Sequence, residues 1–198
     1  MKQELTLDMY LEQSEYIDYH DLEIQKLIVS FKEKGHTDLN RVQRIYEYVR
    51  DEIKHSYDIK SDEVTRRASE VLDKKHGICY AKSHLLAALL RGVGVPAGIC
   101  YQKLTLFDLP EDGYCIHALN TVYIREFNKW IRLDARGNKE GVNAQFSIAE
   151  EQLAFPVREE LGEKNYPENF YEPHPDIIKT LENHSDSLLM YQNLPKDI

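Results

Sequence analysis

The stretch Gly77-Ile78-Cys79-Tyr80-Ala81-Lys82-Ser83-His84-Leu85-Leu86-Ala87-Ala88-Leu89-Leu90-Arg91-Gly92-Val93-Gly94-Val95-Pro96-Ala97 decides the fold. Ala81, Leu85, Leu89 and Val93 fall at i, i+4, i+8 and i+12, and Leu86 and Leu90 widen the stripe. This spacing predicts a mostly buried helix from Cys79 to Val93. Gly92, Gly94 and Pro96 end it.

Beyond Pro96 the period changes to two. Residues 97–107, 115–124 and 129–134 are rich in Ile, Val, Tyr, Thr and Leu and read as strands. Phe107–Gly113 joins the first two, and Arg125–Asn128 makes a hairpin of the second and third. Val142–Phe146 reads as a fourth strand. The tail after Phe155 is irregular, with Pro156, Pro167, Pro173 and Pro175, before a last helix from about Asp176 to Tyr191.

Upstream of the central stretch the reading is helical. Leu22, Ile24, Leu27, Ile28 and Phe31 mark a helix to Lys34, stopped at Gly35. Val42, Ile45, Tyr46, Val49 and Ile53 mark a second, capped by Asp38 or Asn40. A short helix follows near Ala68–Lys75. Helices first and an antiparallel sheet after them give the α+β class. The 198 residues are expected to form one domain, with a core of about 38–146. A helical extension, 1–37, precedes it, and an irregular and helical tail, 147–198, follows.

The formal net charge of −9 repels phosphate backbones, which argues against nucleic-acid and anionic-membrane partners. No run approaches the ~18 apolar residues of a membrane-spanning helix. The acidic first twenty residues do not read as a secretory signal. With three cysteines, an odd number, a disulfide framework is not expected and a cytoplasmic location is.

Three residues combine into a chemical reading. Cys79 opens the buried helix, where unpaired N–H groups and the helix dipole favour thiolate over thiol. His117 lies on the second strand and shares a face with Cys115, Leu119, Thr121 and Tyr123. Asp134 closes the third strand, which the hairpin returns to within side-chain reach of His117. Each alone reads more simply as structural: a buried thiol, a satisfied histidine, a turn-starting aspartate. Together they follow the order of nucleophile, base and orienter that a papain-like site needs.

The flanking residues resemble the transglutaminase-like superfamily. Ala68–Leu72 followed by Gly77-Ile78-Cys79-Tyr80-Ala81 is similar to its nucleophile segment. Leu89–Ala97 is similar to the segment ending its cysteine helix, His117-Ala118 to the start of its histidine strand, and Trp130–Asp134 to its aspartate strand. Tyr48–Ile53 with Tyr57 resembles the helix and tyrosine preceding the core. The resemblance runs from about Val42 to Asn138. It implies a papain-like, transglutaminase-core fold, with Cys79 as nucleophile, His117 as general base and acid, and Asp134 as orienter. The implied activity is acyl transfer or hydrolysis at a peptide or isopeptide-type amide through a thioester, without cofactor or metal.

The chain also departs from the family. The tryptophan that holds the oxyanion in animal transglutaminases has no counterpart, since the single Trp is Trp130. His55, Tyr57, Tyr80 and Gln102 are the candidates for the oxyanion hole and cleft, with no choice among them. There is no room for the calcium loops and β-sandwiches of the animal enzymes, so hydrolysis is expected over crosslinking. An inactive binding or scaffold module is the alternative. A zinc site from His76, Cys79, Cys100 and Cys115 is a third reading, with spacings that fit no Cys-x-x-Cys pattern. Arg136 is read as closing a turn by an ion pair, with a hold on a substrate carboxylate as the alternative, and Glu150, Glu151, Glu159, Glu160 and Glu163 as solvated surface.

Overall fold

The computed structural model describes residues 6–35 and 37–198. The helices form where the apolar stripes and caps dictate. Asp21 accepts from the N–H groups of Glu23 and Ile24 at 2.9 and 3.2 Å and starts α1, Leu22–Lys34. Thr37, rather than Asp38 or Asn40, caps α2, Asp38–Glu52, its hydroxyl accepting from Asn40 N–H at 3.1 Å. A short strand β1, Lys54–His55, comes next, then α3, Ala68–Lys74. Lys75, left-handed with φ 59°, turns the chain into β2, His76–Gly77. Of the expected extension, residues 1–5 and His36 lie outside the described residues; Leu7–Leu11 forms a short 3-10 turn.

The central helix α4, Cys79–Gly92, is buried from Tyr80 to Arg91. Gly92 is needed for packing, because a Cβ there would lie 2.1 Å from Cδ1 of buried Ile28 on α1. The polar side chains of α4 are all engaged. Lys82 Nζ donates to the carbonyls of Ile53 and Arg136, and His84 Nδ1 to that of Arg66. Arg91 donates to the carbonyls of Glu12, Ala97 and Tyr171. A charge in such a place without partners would cost several kcal/mol.

The period-two segments become β3, Ala97–Thr105, β4, Tyr114–Ile124, and β5, Lys129–Leu133. The expected strand at Val142–Phe146 is absent; isolated bridges Lys139–Val142 and Gln145–Gln152 stand there instead. The fourth strand is β6, Lys164–Asn165, and the antiparallel order is β5-β4-β3-β6. Gln102 faces His117 across β3 and β4, and Asn120 faces Leu133 across β4 and β5. The last helix is broken into α5, Pro175–Glu182, and α6, Ser187–Met190. Their buried residues Ile177, Leu181 and Met190 join the same core as α1, α2, α4 and the sheet.

Candidate active site

Cys79 is the first residue of α4, preceded by extended Ile78, and no side chain caps this end. The residues before it are fixed by the parallel pairing of β1 with β2, which sets His55 beside Gly77. Gly77 is tightly packed: a Cβ there would meet Thr65 Oγ1 at 3.0 Å and Ala81 Cβ at 3.2 Å. Cys79 itself is half-buried.

His117 is buried on β4. Continuing the β4–β5 register one step past Leu133 sets Asp134 opposite Leu119, diagonal to His117. The structure joins the two: His117 Nε2 lies 2.8 Å from Asp134 Oδ2. Asp134 also accepts from Arg136 N–H at 3.0 Å and Ala154 N–H at 3.2 Å. The Cys79 sulfur acts on the same imidazole and favours its charged form. With Nε2 engaged by Asp134, Nδ1 is the nitrogen left for sulfur. Burial disfavours a charged His117, but the Asp134 carboxylate and the Cys79 sulfur outweigh it and hold the imidazole above its ordinary value. Burial works against the Asp134 anion too, yet His117 and the two N–H donors hold its carboxyl low. The pair therefore favours imidazolium and carboxylate.

Cys79 and His117 open onto a cavity of about 570 Å³. Leu104, Leu106, Phe107, Phe155, Pro156 and Leu194 give it an apolar wall. His55 and Tyr57 also line it. Tyr80 lines it as well, but its buried hydroxyl donates to Ile116 O at 2.8 Å. Gln102 does not line the cavity: it is buried, and Nε2 donates to Asn165 Oδ1 at 3.0 Å. Two residues the sequence reading missed stand close. Phe155 packs edge-on to His117, with centroids 5.1 Å apart and planes at 88°. Tyr191 lines the cavity and rests on Tyr57, centroids 4.5 Å apart. Phe155 comes from an irregular stretch that carries no periodicity, and Tyr191 from the turn that follows α6.

Other expectations resolve plainly. Arg136 is buried and paired with Asp58, 2.9 Å from Nη2 to Oδ1. Burial pushes the thiols of Cys100 and Cys115 up to about 12. Among the described residues no group of three His, Cys, Asp or Glu side chains is placed to hold a metal ion. Glu163 is not solvated: its side chain is fully buried and accepts from Thr105 N, Thr105 Oγ1 and Arg158.

Among curated proteins no relative of the chain is found. Among solved structures, a candidate cysteine protease from Cytophaga hutchinsonii superposes with a TM-score of 0.54 at 22% identity, over 68% of this chain and 43% of that one. The periplasmic domain of TgpA from Pseudomonas aeruginosa gives 0.48 at 17% identity, over 66% and 48%. The chain thus spans less than half the length of either structure. The first of these likenesses bears on the fold alone. A family model for the transglutaminase-like superfamily matches residues 25–135, from α1 through the Cys79 helix and the His117 strand to just past Asp134. With more than half of its 198 residues inside that match, the chain belongs to the transglutaminase-like superfamily.

Proposed function

We propose that the protein is a cysteine-dependent hydrolase of peptide or isopeptide-type amides, acting through a thioester on Cys79. The observation that carries this reading is the arrangement around one imidazole. His117 Nε2 is tied to Asp134 at 2.8 Å, and the Cys79 sulfur and the same ring share the wall of one cavity, where the sulfur favours the charged imidazole.

The chemistry follows from the charges. Sulfur attacks the amide carbon, and the carbonyl electrons move to oxygen. The oxyanion collapses as the His117 imidazolium gives its proton to the leaving amine, leaving a thioester on Cys79. His117, now neutral, takes a proton from water. The hydroxide attacks the thioester carbon, and the sulfur leaves as thiolate with the carboxylic product released. Asp134 keeps the ring oriented and supports its positive form in both halves. An acceptor amine in place of water would give transfer instead. The apolar part of the cavity wall suits exclusion of bulk water from the first half.

The test is a screen of peptide and isopeptide amides with the wild type and Cys79→Ala, coupled to mass spectrometry of the trapped protein. Turnover that disappears with Cys79, with an acyl mass on its tryptic peptide, is the expected result. Turnover that survives in Cys79→Ala would sink the reading. A thiol that accepts no acyl group from any amide would favour a binding module instead.

A further inference from the structure

An acyl transfer at Cys79 needs donors for the oxyanion, and the first is at hand. The N–H of Cys79 sits at the uncapped start of α4. The second donor has to come from the cavity wall. Tyr80 spends its hydroxyl on Ile116 O, and Gln102 does not line the cavity. His55 is held neutral by burial and by Arg136 and Lys82, and both its nitrogens face Tyr191.

Tyr191 is different. It is locked from both sides. Just before it, Ser187 N–H donates to Asp62 O at 2.7 Å and Ser187 Oγ to Ser61 O at 2.6 Å. Met190 is wholly buried. Just after it, Ile116 N–H, adjacent to His117, donates to Pro195 O at 3.0 Å. The ring rests against Tyr57. The hydroxyl meets the His55 ring at 3.3 Å from Nε2 and 3.4 Å from Nδ1, so it lies between the two nitrogens and is firmly bound by neither. Burial, and then the Cys79 sulfur as its strongest charged neighbour, keep the phenol protonated. It is therefore a fixed donor on the wall of the cavity that the thiol opens onto, the kind that needs no reorganisation when charge develops.

We propose that the Tyr191 hydroxyl joins the Cys79 N–H as the second oxyanion donor of the site. The inference rests on the thioester reading above. It assigns a catalytic role to a residue of the tail, 112 positions after the cysteine.

The experiment compares two reagents on the intact protein. With p-nitrophenyl acetate, the Cys79 sulfur bonds to the ester carbon, an oxyanion forms, and p-nitrophenolate leaves. Iodoacetamide alkylates the same sulfur by displacing iodide from saturated carbon, and no oxyanion appears. Tyr191→Phe is expected to slow acetylation of Cys79 by about 10²-fold. Its alkylation rate and melting temperature should match those of the wild type. Equal acetylation by Tyr191→Phe and wild type would overturn the inference. Faster acetylation and alkylation together would also overturn it, and would make Tyr191 a cover over the thiol. If wild-type Cys79 is alkylated but never acetylated by the ester or by any amide, the thioester reading itself falls, and this inference with it.

Discussion

His117 and Asp134 meet diagonally across β4 and β5, side chain to side chain at 2.8 Å, with both groups shut away from solvent. The bond fixes which nitrogen faces the thiol. Asp134→Asn keeps the size but changes the proton pattern. An amide NH₂ donating to Nε2 forces the ring proton onto Nδ1, so the ring presents N–H to sulfur and cannot receive a proton there. Activity on any amide found in the screen is expected to fall by about 10²–10⁴-fold in kcat, with KM little changed. A KM effect with kcat intact would contradict the orienting role.

The same pair makes stability depend on pH in a defined sense. The folded imidazole titrates above its ordinary ~6.5, so its contribution is full below that value and is lost as pH rises toward the folded value. The Asp134 carboxyl titrates below its ordinary ~3.9, so its contribution is present above that and lost as pH falls. Denaturant midpoints measured from pH 6 to pH 10 should therefore decline more steeply for the wild type than for His117→Gln. Parallel profiles would mean that the pair is not charged in the fold.

Glu163 offers a third measurement. Burial opposes its charge, but Arg158 and Thr105 hold the carboxyl down at about 2. Its stabilisation is present above the ordinary carboxyl range and is lost as pH falls toward that value. Glu163→Ala removes the acceptor of the buried Thr105 N–H and of the Arg158 backbone N–H. The expected cost is about 3 kcal/mol by chemical denaturation. Residues 154–163 also carry Ala154 and Phe155 against Asp134 and His117. The variant should thus lose activity as well as stability. A change below ~0.5 kcal/mol, typical of a surface site, would rule out the buried network.

The periodic parts of the chain were legible and the rest was not, for a physical reason. The stripe from Ala81 to Val93 has one burial solution, and α4 takes it from Cys79 to Gly92. Period two after Pro96 fixes the side-chain faces, and the hairpin length then dictates that Asp134 lands diagonal to His117. Gln102 shows the limit of that logic. It lies directly opposite His117, yet its amide turns to Asn165, a residue 63 positions later whose strand has only two residues. Glu163 looked solvated because the N–H groups that bury it belong to Thr105 and Arg158, not to its own segment's pattern. Phe155 on irregular backbone and Tyr191 on the turn after α6 reach the site through long-range docking, and no local period records that.

The buried basic side chains of α4 have a consequence for how the molecule comes apart. Lys82, His84 and Arg91 reach carbonyls at residues 12, 53, 66, 97, 136 and 171. Detaching any one of those stretches strands a polar group in the middle of the core, so piecemeal fraying is penalised at its first step. The helix acts as a common clasp for distant parts of the chain. Loss of structure is then shared by all of them at once.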